Sequence, residues 1–198
     1  VLKFGGTSVG SVDSIRQIQH IIGQQTDDCI VVVSALGGIT DQLLKAAHLA
    51  LEAGEEYMEV YQAIRCRHMD MVNTLITNPT TRQMLCLELE GILDELRSIL
   101  FGVHLVKDLS DKTEAAIVSY GERMSSRIVT AALPGAVRKN SLQFIRTEHK
   151  QGQVLLNTDL TEQLIHHAFS PMPHLSVVPG FISRDSQTDE ITNLGRGG

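Results

Sequence analysis

The chain has no tryptophan, and aromatic residues make up only 4% of its 198 residues. Platforms that stack exposed bases need such rings, so a single-stranded nucleic acid is a poor candidate ligand. Positive charge is also short. Seventeen Lys and Arg stand against 23 Asp and Glu, for a formal net charge of −6. No Lys/Arg-rich run or stripe marks a nucleic-acid footprint. No apolar stretch approaches the ~20 residues of a membrane-spanning helix. No basic segment followed by an apolar core opens the chain, as a secretory signal would. Cysteine is sparse: Cys29, Cys66 and Cys86 are far apart, odd in number and without a CxxC pair. That pattern suits buried free thiols in a reducing compartment, and the chain reads as cytoplasmic. Internal repeats, low-complexity segments and linkers are missing too.

What remains is ordinary globular material, 42% hydrophobic and 20% charged, long enough to bury a sizeable core. It reads as one domain over 1–198. The start at Val1 and the stop in "NLGRGG", where glycines offer nothing to pack, suggest a truncated one.

Residues 1–5 resemble a short buried strand, and 11–25 a helix with Ile15, Ile18 and Ile22 on one stripe. "CIVVVSALGG" (29–38) is a β-branched run ending in small residues. With a helix between them, the two strands are expected to be parallel. A βαβ opening points to an α/β fold. A helical excursion follows at about 39–110, marked by Leu43–Leu51, Tyr57–Leu75 and Leu85–Ile99, with "TNPTT" (77–81) as a turn. Ser110 or Asp111 caps a further helix whose pattern Gly121 interrupts and "LPG" (133–135) ends. Strands are expected at 136–140, 143–147, 153–157 and 174–183, with a helix at 158–169 and a polar, turn-rich tail. His166 and His167 are adjacent, about 100° apart on a helix. Asp185, Asp189 and Glu190 read as a solvated loop, so no metal site is expected.

The chemistry is carried by "KFGGTSV" (3–9). Gly5 and Gly6 let backbone approach a ligand, and their N–H groups, with Thr7 and Ser8, suit phosphate oxygens. The following helix aims its positive end at the same place. The stretch is neither GxGxxG nor a Walker loop, which would need Lys where Ser11 stands; here the cation, Lys3, comes first. A plain strand-end turn would also account for it. The second strand, however, also ends in glycines and hydroxyls, Ser34 and Thr40. Ligands of open α/β sheets bind beyond the carboxyl ends of parallel strands, and two such ends make one polar crevice for a phosphate or small anion.

Taken with "VVVSALGGIT" (31–40), "GERMS" (121–125) and "GFI…TNLGRGG" (180–198), the opening motif resembles the aspartokinase family along essentially the whole chain. The segment from Ile99 to Ser125 resembles the bifunctional aspartokinase–homoserine dehydrogenases more than the monofunctional enzymes. The resemblance implies an amino-acid-kinase fold, a three-layer αβα sandwich with a mainly parallel sheet. It implies phosphoryl transfer from ATP, carried with Mg²⁺, to the side-chain carboxylate of L-aspartate, the entry to lysine, threonine and methionine synthesis. A homo-oligomer is implied for the full-length protein. An aspartate side chain, with solution pKa ~3.9, is already ionised at neutral pH, so no general base is required. Positioning and charge neutralisation remain. By match to the family motifs, Lys3 would neutralise the transferring phosphoryl group, and Gly5, Gly6, Thr7 and Ser8 would hold the ATP phosphates. Ser34, Thr40, Glu122 and Arg196 would hold aspartate, Glu122 taking its ammonium and Arg196 its α-carboxylate.

The family pattern continues past "GRGG" with Ser and Asp and then an adenine-binding segment. A polypeptide ending at Gly198 is therefore expected to bind ATP poorly and to be impaired alone. The family often has Asp where Asn140 stands, so no ligand role is assigned there. The alternatives are another amino-acid kinase of the same fold, which "GERMS" and "LGRGG" argue against, and a non-catalytic interaction fragment.

Overall fold

In the computed structural model, which describes residues 1–150 and 153–194, the chain opens with β1 (Leu2–Phe4), α1 (Val12–Gly23) and β2 (Cys29–Val33). The two strands pair in parallel, Leu2 opposite Val31 and Phe4 opposite Val33. Ser11 starts α1 by accepting the Ser14 N–H at 3.1 Å, which satisfies one of the free amides of a helix start. Ile15, Ile18 and Ile22 form its buried stripe.

The helical excursion comprises α2 (Ile39–Leu49), α3 (Glu56–Leu75) and α4 (Pro79–Val106), followed by α5 (Asp111–Ala132). "TNPTT", expected as a turn, instead begins α4. Asn78 accepts the Thr81 N–H at 3.0 Å and Pro79 occupies the first helical position, where its missing N–H costs nothing. Ser110 caps α5.

The rest of the chain forms β3 (Val137–Arg138), a 3-10 turn (Ser141–Gln143), β4 (Arg146–Lys150), β5 (Gln153–Leu156), α6 (Thr158–Ala168), β6 (Leu175–Pro179), β7 (Ile182–Asp185) and β8 (Ile191–Asn193). The first sheet, ordered β1-β2-β6-β3, is parallel throughout. The α/β architecture with a parallel sheet is thus as expected.

A second, mixed sheet ordered β5-β4-β7-β8 was not foreseen. The run expected as one strand over 174–183 breaks at Gly180, where Phe181 takes φ 64° and the chain passes from one sheet to the other. The tail is not merely turn-rich. The Asp185 carboxylate accepts the Gln187 and Thr188 amides at 2.8 and 2.9 Å, closing a turn from which β8 returns.

The core lies on one face of the first sheet. Leu2, Phe4, Val31, Val33, Leu175 and Val177 meet Ile15, Leu36, Ile39, Leu43, Ile117 and Met124 from the helices. All three cysteines are free thiols, but only Cys29 is buried; Cys86 is half-buried and Cys66 is exposed on α3.

Gly121 does not break its helix; α5 runs straight through it. A Cβ there would lie 2.7 Å from the Cβ of Ala35, so glycine lets α5 press against the chain leaving β2. Gly121→Ala should lower the melting temperature. Overpacking of about 1–3 kcal/mol outweighs a helix-propensity gain of about 1 kcal/mol. Thermal unfolding followed by circular dichroism checks this.

Candidate active site

Three strands of the parallel sheet end side by side. The Ser34 N–H donates to Phe4 O at 3.1 Å, and the Gly180 N–H donates to Val33 O at 2.8 Å. Beyond these ends the loops after β1 and β2 touch. A Cβ on Gly6 would lie 3.2 Å from Ala35 O, and one on Gly37 only 3.0 Å from Gly6 O. The sequence is glycine-rich here because two backbones meet where side chains would not fit.

Within the first loop, Gly5 O accepts the Ser8 and Val9 amides at 2.9 and 3.2 Å. Among the described residues the Gly6 and Thr7 N–H groups meet no acceptor. Space around Gly5 is open. Thr7 is exposed and Ser8 half-buried, and the N-terminus of α1 begins four residues beyond Ser8. Two unengaged amides, two hydroxyls and a helix start are what an anion needs.

Lys3 lies in the middle of β1, opposite Val32. Leu2 and Phe4 pack into the core, so strand alternation puts Lys3 on the other face, where it is exposed two residues before Gly5.

Glu122 comes from α5 and is 3% exposed. Its Oε1 accepts the Ala35 N–H at 3.1 Å, while its Oε2 is buried with no partner among the described residues. Burial pushes the carboxyl up to about 7, against the lowering effect of the Ala35 amide. An unpartnered buried carboxylate oxygen demands an explanation, and a cationic ligand group supplies one. Ser125, one turn further on the same face of α5, donates to Ser34 O at 2.7 Å. Together Glu122 and Ser125 latch α5 onto Ser34–Ala35. Thr40 sits half-buried in the first turn of α2.

The structure therefore brings Gly5, Gly6, Ser34 and Glu122 to one set of strand ends, with Thr7, Ser8 and Thr40 in the loops and helix start beside them. Lys3 stands at the same end, on the sheet face opposite the helical core. Arg196 lies outside the described residues. Arg123, beside Glu122, takes no part: it pairs with Glu95 at 2.7 Å and sits over the Tyr120 ring.

Sequence reasoning missed Ser125 and Phe181. Ser125 was legible as the residue one turn after Glu122. Phe181 was not, because its left-handed backbone carries no composition signal.

The raised carboxyl makes stability depend on pH. Folding favours the protonated form of Glu122, so its contribution is complete below the ordinary value of 4.5 and is lost as pH rises through about 7. Relative to Glu122→Gln, which cannot ionise, the wild type should lose about 3 kcal/mol between those limits. Urea unfolding of both proteins across that range checks the prediction; parallel pH profiles would contradict it.

The family model for the amino acid kinase family matches residues 1–198, and the chain belongs to that family. Within it, the similarity is to aspartokinases. The chain is 29% identical to chloroplastic aspartokinase 1 of Arabidopsis thaliana, matching 100% of this chain and 36% of that protein. It is 27% identical to the bifunctional aspartokinase/homoserine dehydrogenase 2 of Escherichia coli, over 99% of this chain and 24% of that one. Aspartokinase III of E. coli, solved in complex with lysine and aspartate, superposes with a TM-score of 0.86 at 26% identity, covering 99% of this chain and 43% of its own. The same enzyme solved with aspartate and ADP gives a TM-score of 0.85. The chain thus spans well under half the length of these relatives.

Proposed function

We propose that this chain is the N-terminal, aspartate-binding part of an aspartokinase catalytic domain, and that the protein carrying it transfers the γ-phosphoryl group of ATP to the side-chain carboxylate of L-aspartate. One observation carries the reading: the Oε2 of Glu122, buried beside two touching glycine loops without a partner among the described residues. A carboxylate held at this burial cost is suited to an ammonium, and the α-ammonium of aspartate is one.

In the reaction a β-carboxylate oxygen of aspartate forms the new P–O bond while the bond to the β–γ bridging oxygen breaks, releasing ADP and 4-phospho-L-aspartate. Lys3 neutralises charge on the transferring group, and the amides of Gly5, Gly6 and Thr7, with the Ser8 hydroxyl, hold the phosphates. Ser34, Thr40 and Glu122 hold the amino acid, with Arg196 assigned to its α-carboxylate. Mg²⁺ would arrive with the nucleotide. The reading includes a homo-oligomeric full-length protein in the cytoplasm. No helix among the described residues is long and apolar enough to cross a membrane.

The test is ATP turnover in the complete protein, with the acyl phosphate trapped by hydroxylamine. Hydroxamate formation should require L-aspartate. Turnover indifferent to L-aspartate, or selective for another amino acid, would reject the proposal.

A further inference from the structure

The helical excursion has no evident reason to reach the phosphate loop, yet one of its side chains does. Arg67 lies half-buried on α3. Its Nη2 donates to Gly10 O at 3.3 Å. Its Nη1 lies 3.9 Å from where a Cβ on Gly38 would stand. Gly10 closes the first glycine loop, its amide donating to Thr7 O at 3.3 Å. Gly38, at φ 79°, closes the second and starts α2. One planar guanidinium thus borders both loops. Among the described residues it joins no ion pair, whereas Arg65 on the same helix pairs with Glu90 in the ordinary way.

The direct contacts between the loops are van der Waals contacts of Gly6 with Ala35 and Gly37. Such contacts resist compression steeply but resist separation weakly. The Arg67 hydrogen bond ties the outer end of the first loop to α3, which packs against the α2 that Gly38 begins, and so resists separation. In-line transfer is sensitive to that spacing, since a misplacement of about 1 Å can cost about 100-fold in rate.

We infer that Arg67 is a positioning residue for phosphoryl transfer: its guanidinium holds loop 5–10, which carries the phosphoryl donor, at a fixed distance from loop 35–38, whose flanking Ser34 and Thr40 hold the acceptor. The inference rests on the aspartokinase reading of the same site.

The test compares wild type, Arg67→Ala and Arg67→Lys in the complete protein. Arg67→Ala should lower kcat about 30- to 100-fold with KM for each substrate changed less than about threefold and the melting temperature nearly unchanged. Lysine, with one ammonium in place of the fork, should recover part of the loss. Guanidinium ion at sub-denaturing concentration should also restore Arg67→Ala, because an open cavity of about 460 Å³ lined by Gly10, Arg67 and Thr74 admits it. A purely structural role would be indifferent to the added ion. Wild-type kcat in Arg67→Ala, a loss that tracks the folded fraction, or no recovery by either route would overturn the inference. A wild type without aspartate-dependent turnover would instead reject the aspartokinase reading, and the inference with it.

Discussion

Replacing Lys3 with Ala will lower turnover by about three orders of magnitude while leaving the fold in place. The size follows from losing the charge that meets negative charge developing on the transferring phosphoryl group, where single preorganised donors are worth about 10²–10³ and cationic fingers more. Preservation of the fold follows from how β1 is held. Backbone pairing with β2 and the packing of Leu2 and Phe4 anchor the strand, and the Lys3 side chain is exposed on the opposite face. Turnover of the purified variant, with its melting curve beside that of the wild type, reads both halves. Activity within about threefold of the wild type would remove Lys3 from the chemistry. A collapse in melting temperature would make it a structural residue.

Glu122→Gln should weaken L-aspartate binding about 100-fold and leave ATP binding nearly unchanged. Truncating one member of a buried, hydrogen-bonded charge pair costs about 2–5 kcal/mol. The amide is close in shape and can still accept from the Ala35 N–H, so the latch between α5 and the second loop survives. The charge facing the ammonium does not. The same substitution stabilises the ligand-free protein above neutral pH, because it removes a carboxylate that is costly to bury. Loss of binding together with gain of stability separates a ligand-binding role from a structural one. A purely structural glutamate would lose both. Calorimetric titration with L-aspartate and urea unfolding measure the two.

The sequence exposed the parts of the fold with local signatures. The apolar opening of β1, the β-branched run of β2, the intervening isoleucine stripe and the Leu repeat of α4 are local signals, and each lies within the kind of element expected. The second sheet escaped because its order depends on devices without periodicity. The left-handed turn at Phe181 and the carboxylate of Asp185 capping two amides read in sequence only as polar tail. "TNPTT" misled because its Pro and Asn suit a turn and a helix start equally.

At the site, glycines and hydroxyls after two parallel strands were enough to point to the place where the two loops meet. They could not show that Gly121 exists to let Glu122 approach Ala35, nor that Arg67 of a distant helix borders both loops. Those are contacts across about 87 and 57 positions of sequence, beyond what spacing encodes.

The measurement that bears most directly on the site is the titration of the Glu122 carboxyl by carbon NMR, with and without L-aspartate. Without ligand it should titrate near 7. With saturating L-aspartate, the ammonium beside it should bring it down toward the ordinary value of 4.5, with release of about half a proton on binding at neutral pH. A carboxyl that titrates at the same pH with and without L-aspartate would contradict the account.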